Sequence, residues 1–219
     1  MKKSSIKTSI LALAIALLAP LALVAQQSGN TKESSSMIGK TSKAEFERIN
    51  KEGAEKVKAI SPTSQKLSEE DQALFLEVAN AGNQQMLISQ IAAQRATNPQ
   101  VKELAQAEVE EQAGLATKLK EIATAKGIQL PNGVSTQTEE MLSRYNKISG
   151  GEVDRYYIAE SAVKGHEKLD KLMSSVESKA KDSNLKEVAA AAHPLVRTHL
   201  KVSKEVLNTL SGGGTVGNK

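Results

Sequence analysis

Cysteine is absent from the 219 residues, which removes disulfides, thiolate nucleophiles, thiolate zinc sites and a lipidated N-terminal cysteine together. Tryptophan is absent too, and only five aromatic residues occur: Phe46, Phe75, Tyr145, Tyr156 and Tyr157. That is too few for the stacking platforms on which single-stranded or looped nucleic acids lie. Positive charge is scarcer than the net +4 suggests, because Lys2, Lys3 and Lys7 supply three of those charges within residues 1–25, where there is no acid. The remaining chain carries +1, no field with which to collect polyanions. No Val-, Ile- and Thr-rich run alternates at a period of two, so a sheet is not expected. A nucleophile elbow of the Gly-x-Ser-x-Gly type is missing as well. The glycines of the tail from Gly212 to Lys219 imitate a phosphate loop only loosely, with no helix after them to present amides.

What is there begins with an address. Three lysines precede an apolar run over residues 10–19, Pro20 breaks it, and Leu-Val-Ala ends at Ala25 before a polar stretch. This is the layout of a secretory signal peptide, expected to be cut near Ala25. The apolar stretch over residues 10–25 has 16 residues, short of the roughly 20 that span a bilayer. The expected location is therefore the periplasm or the outer-membrane surface of a bacterium. Residues 26–66 read as a flexible segment holding one short amphipathic helix near residues 43–60. Ser42 and Glu45 form its capping box, and Phe46, Ile49, Gly53, Val57 and Ile60 its stripe. Docking on its own protein is the plainest use for that stripe.

The main domain is expected over residues 67–210, before a Gly-rich disordered tail at 211–219. Ser68 opens a first long helix, and Asn98 followed by Pro99 stops it and starts a second, which Gly127 closes. Residues 127–150 hold Pro131-Asn132-Gly133 and a short helix beginning at Thr136. Ser149 with Glu152 reads as a capping box for a third long helix, and Asp182 caps the fourth. Asn98-Pro-Gln-Val-Lys-Glu-Leu-Ala105 echoes Asp182-Ser-Asn-Leu-Lys-Glu-Val-Ala189 at an offset of 84, so the chain holds two helical hairpins. Their 24-residue connection is far longer than bundle neighbours use. The expected fold is all-α: a ferritin-like four-helix bundle of two hairpins joined by a long crossover containing a short helix.

Ferritin-like bundles hold metals with a Glu on each of two helices and Glu-x-x-His on each of the other two. Here His166 lies on the stripe of Val163, Leu169 and Met173, and His199 on that of Leu195, Val196, Val202 and Val206. Glu108 and Gln112 fall where the apolar stripe between Leu104 and Leu115 should continue. These four residues make a candidate polar centre at mid-bundle depth. Val163 and Val196 stand where Glu-x-x-His would put carboxylates, and the first long helix offers only neutral Asn83, Gln84 and Gln85. The run Glu108, Glu110, Glu111 reads as a solvated face with one inward member. His193, preceding Pro194 in a helix that the proline should kink, is not expected to be a ligand.

In five stretches the chain resembles a bacterial family of exported proteins, the domain-of-unknown-function 4142 family, often labelled outer membrane proteins. They are Ala96-Thr-Asn-Pro-Gln-Val-Lys-Glu-Leu-Ala105, Glu110-Glu111, Lys126-Gly-Ile-Gln-Leu-Pro131, Val163-Lys-Gly-His-Glu-Lys168 and Pro194-Leu-Val-Arg-Thr-His-Leu200. The resemblance implies a ferritin-like fold and no established enzymatic activity. It also implies a histidine after the paired acids of the second helix and carboxylates on the first, where this chain has Gln112, Gln85 and Leu87. His166 and His199 are retained.

The first functional expectation is a non-enzymatic, exported bundle acting as a structural, stress-related or binding module of the cell envelope. The alternative is a metal-binding protein with a degenerate ferritin-like centre, holding a single divalent ion at His166, His199 and Glu108. A small-molecule carrier is a third class without a specific signal. No organic cofactor and no nucleic-acid partner are expected, and association with the envelope would be peripheral.

Overall fold

The computed structural model describes residues 37–212. The export signal expected over residues 1–25, the polar stretch up to residue 36 and most of the tail lie outside the described residues. Helices start at the local signals that favour them. Ser42 caps α1 (Lys43–Ala59), Ser68 caps α2 (Glu69–Arg95) and Asp182 caps α7 (Ser183–Leu210), each side chain accepting a backbone N–H three residues on. Asn98 caps α3 (Pro99–Lys126), and Gly127, at φ 70, supplies the left-handed turn that ends it. The crossover holds α4 (Thr136–Tyr145). The third long helix comprises α5 (Gly151–Tyr156), a π-helical segment (Tyr157–Val163) and α6 (Lys164–Lys179).

One local expectation changes. Ser149 does not cap α5: the cap position falls to Gly150, whose φ of 54 suits glycine, and no side chain bonds there. Helix α7 runs through Pro194 as one element. The β structure among the described residues is a two-residue antiparallel pair, β1 (Met37–Ile38) with β2 (Thr41–Ser42), turned around Gly39.

Polar contacts fix the direction of each long helix. At one end, Asp154 of α5 accepts the backbone N–H groups of Thr97 and Asn98 at 2.9 and 3.1 Å, and the Thr97 hydroxyl, clasping the α2–α3 turn. Arg95 there donates to the carbonyls of Tyr145 and Ile148, where the crossover arrives. At the other end, Asp71 of α2 accepts the N–H groups of Lys181 and Asp182 at 3.0 and 3.1 Å, clasping the α6–α7 turn. Lys126, the last residue of α3, donates to Asp182 at 2.7 Å in that same place. So α3 and α5–α6 run the same way, and residues 127–150 must return the length of the bundle. This is the ferritin-like arrangement, a four-helix bundle with one long crossover.

Helix α1 belongs to the same compact unit as the bundle, so the domain boundary expected at residue 67 falls inside that unit. Phe46, Gly53 and Val57 are buried against α3 and α7. The extended strand of chain after α1 is fastened by two buried lysines, with Lys118 donating to the Ile60 carbonyl and Lys126 to that of Gln65.

The apolar core comes in two parts. One gathers Phe75 and Val78 of α2, Leu115 and Leu119 of α3, Met173 of α6 and Leu185 and Val188 of α7. The other gathers Ile88, Val101, Leu104, Tyr157, Ile158 and Val202. On every long helix, buried polar residues sit between the two: Gln85, Glu108 and Gln112, Ser161 and His166, and His199. A polar layer therefore crosses mid-bundle. No helix among the described residues is long and apolar enough to cross a membrane.

Candidate metal centre

The polar layer converges on Glu108. Its Oε2 lies 3.0 Å from His166 Nε2 and 2.8 Å from His199 Nδ1, and all three side chains are at most 2% exposed. One donor atom from each lies within 4.8 Å of the others. Gln112 donates from Nε2 to the remaining Glu108 oxygen at 3.0 Å. The four residues singled out in the sequence are thus neighbours, brought together from α3, α6 and α7.

Three further residues complete the surroundings. Asn50 of α1 places its amide 2.8 Å from His199 Nε2, so the amphipathic helix reaches the centre itself. Glu111 lies one helical turn from Glu108, with Oε2 3.2 Å from the same His199 nitrogen and a side chain only 8% exposed. Neither of its oxygens has a hydrogen-bond partner. Gln85 accepts from the Ser161 hydroxyl and donates to the Ser161 carbonyl. Gly165 permits that approach, since a Cβ there would come within 2.8 Å of Gln85 Oε1. The acidic run therefore turns two members inward, Glu108 and Glu111, and only Glu110 faces solvent.

Proton positions follow from the partners. His166 Nδ1 lies 2.9 Å from the Ala162 carbonyl, which can only accept, so this nitrogen carries a proton and Nε2 is aimed at Glu108. Burial by itself disfavours a charged imidazole, but the charge and hydrogen bond of Glu108 outweigh it, and the His166 pKa is raised. Burial likewise opposes an ionised Glu108, yet the two histidines hold its pKa well below the usual carboxylate range. For His199 burial wins over Glu108, and its pKa is lowered. Burial and then the charge of Glu108 push Glu111 well above the ordinary carboxyl value. Without metal, Glu108 and His166 favour each other's charged form, while burial disfavours the charged forms of His199 and Glu111.

His193 lies elsewhere. It is buried between Asp170 and Glu177, 2.9 Å from each, with Arg197 donating to the same Asp170.

Residues 57–206 match the family described as Domain of unknown function (DUF4142). The chain belongs to that family. No curated protein and no solved structure matches the chain at a significant level. Within this DUF4142 domain, both histidines and the Glu108-x-x-Glu111 pair fall inside the matched region, whereas Asn50 of α1 precedes it.

The donor set suits a first-row divalent ion, for which imidazole and carboxylate together are ordinary ligands. Metal–ligand bonds of about 2.1 Å place neighbouring donor atoms about 3 Å apart, close to the spacings around Glu108 Oε2. Each donor's far atom is already held, His166 by a carbonyl, His199 by Asn50 and Glu108 by Gln112. Such outer contacts fix tautomer and ring orientation in metal sites.

Proposed function

We propose that the protein binds one divalent metal ion of the first transition row at His166 Nε2, His199 Nδ1 and Glu108. The observation that carries this reading is the convergence of three buried donor atoms, one each from Glu108, His166 and His199, within 4.8 Å of one another. Beside them the Glu111 carboxyl group is buried with no hydrogen-bond partner, its Oε2 3.2 Å from His199 Nε2. An unsatisfied buried polar group costs about 1–3 kcal/mol, and the charge of a nearby cation offsets that cost. Glu108 and Glu111 together balance a dication, so the loaded centre is neutral. The role is holding an ion, not turning over a substrate. The lysine-rich start followed by an apolar run supports a place in the cell envelope, reached by export and cleavage near Ala25; an exported protein whose intact mass retains Met1 would refute that part.

The test is metal content and uptake. The purified protein is stripped with chelator and titrated calorimetrically with Zn²⁺. One ion per chain is expected, with a raised melting temperature, and His166→Ala/His199→Ala should take up none. A parent that binds less than a tenth of an equivalent, and melts alike with Zn²⁺ and with chelator, would overturn the reading in favour of a purely structural polar layer.

A further inference from the structure

The centre is sealed on most sides, yet one cleft reaches it. A cavity of about 430 Å³ opens between α1 and α3. Its inner wall includes Asn50 and Glu111, the two groups that meet His199 Nε2. Its outer wall carries Glu47, Glu103 and Glu110 together with Lys43 and Lys51, and Lys43 is paired to Glu103 at 2.9 Å. Two smaller clefts approach the layer from the α2 side, and they meet only amides, Gln85 in one and Gln112 in the other. Of these three, only the α1–α3 cleft is lined by an acidic residue of the centre, Glu111, whose two oxygens are themselves buried.

From this geometry we infer that the α1–α3 cleft is the capture site and route for hydrated divalent cations, with Glu111 as the ligand that receives the ion from the cleft. This rests on the metal reading above. Acidic side chains at a rim are common and would carry nothing alone. Here the cleft wall includes Glu111, whose side chain is 8% exposed, whose two oxygens are buried without a hydrogen-bond partner, and whose Oε2 stands 3.2 Å from Nε2 of a ligand histidine. A cleft whose walls carry more carboxylates than ammonium groups, here four against two, concentrates cations and raises their capture rate, an effect that salt weakens. Glu110 and Glu47 draw the ion in, and exchanging water for the Glu111 carboxylate begins its dehydration. Asn50, on the same floor, holds His199 in the orientation that presents Nδ1 to Glu108.

Stopped-flow uptake of Co²⁺, followed by its visible absorption, separates the route from the binding itself. Ala107 lines the cleft without touching the centre, so Ala107→Trp should slow uptake tenfold or more while one ion is still bound at equilibrium. Glu47→Lys/Glu110→Lys, at two exposed positions, should slow it severalfold and flatten its salt dependence, which keeps the test open if the tryptophan prevents folding. Ala116→Trp fills the cleft that reaches Gln112 and should leave the rate unchanged. A parent that takes up no Co²⁺ defeats the metal reading and the route with it. A parent that binds Co²⁺ at a rate indifferent to both cleft variants, or slowed by Ala116→Trp instead, defeats the route alone.

Discussion

The two hairpins share a plan and divide the chemistry. In the first, the clasp residue Asp71 and the cap Asn98 are 27 positions apart; in the second, Asp154 and Asp182 are 28 apart. Each aspartate holds the other hairpin's turn, so the two spans must cover the same length of bundle. The extra residue of the second hairpin coincides with the π-helical segment Tyr157–Val163, the usual way a helix absorbs a single insertion. An inserted residue in a regular helix would rotate everything after it by roughly 100°. The wider turn absorbs that rotation just before His166, which emerges facing Glu108 with Ala162 and Ser161 carbonyls beside it. Nothing similar occurs in α2, where Gln85 stands at the same depth. The first hairpin supplies acids and amides, the second every histidine, and the centre exists only where they touch.

That division is most severely broken at Glu108. Glu108→Leu should strand a buried His166 imidazolium and cost about 3–5 kcal/mol in denaturant unfolding, the range for orphaning a buried charge, besides abolishing metal uptake. The clasps come next. Asp154→Ala leaves two backbone N–H groups and the Thr97 hydroxyl without acceptor, and should cost about 1–3 kcal/mol. Asp71→Ala strands two donors rather than three, so urea melts should rank it as the milder change.

The subtlest effect concerns pH. In the metal-free protein the Glu111 pKa is raised above its ordinary 4.5, so the folded state holds this proton more tightly than the unfolded chain does. The stability so gained is full below pH 4.5 and is lost as pH rises from there through the raised folded value. His166 acts in the same sense from 6.5 upward. Glu108 has the opposite sign: its contribution is present above 4.5 and fades as pH falls towards its depressed folded value. Glu111→Gln keeps the shape without the titration. Its stability relative to the parent should therefore improve steadily as pH is raised from 5 to 8, and melting curves showing a constant difference would contradict the raised Glu111 pKa.

Much of this was open to reading in the chain. Caps at Ser42, Ser68, Asn98 and Asp182, and the stop at Gly127, are local chemistry, so the helices could be placed from neighbours alone. His166, His199, Glu108 and Gln112 betrayed themselves as polar residues on apolar stripes. Glu111 was hidden by company: beside Glu110 it looks like part of a solvated face, although its spacing of three from Glu108 puts both on one side of α3. Asn50 gave a comparable signal, lying four residues after Phe46 and three before Gly53 on the stripe of α1. The π-helical segment had no local mark at all. It follows from a one-residue mismatch between hairpins, visible only once Asp71 and Asp154 are known to do the same work. Ser149 shows the reverse failure, a good local capping pattern overridden because the crossover arrives through a left-handed glycine.

The crossed clasps also bear on how the chain acquires its shape. As the chain is made, the α2–α3 turn appears with its amides exposed, and their acceptor at Asp154 is more than fifty residues away. Asp71 waits longer still, for a turn that forms only after residue 180. Neither hairpin can satisfy its own backbone, and each carries an apolar face matched to the other. The domain therefore has no stable half: the partly made chain stays pliable, and folding completes in one cooperative step when the second hairpin closes on the first.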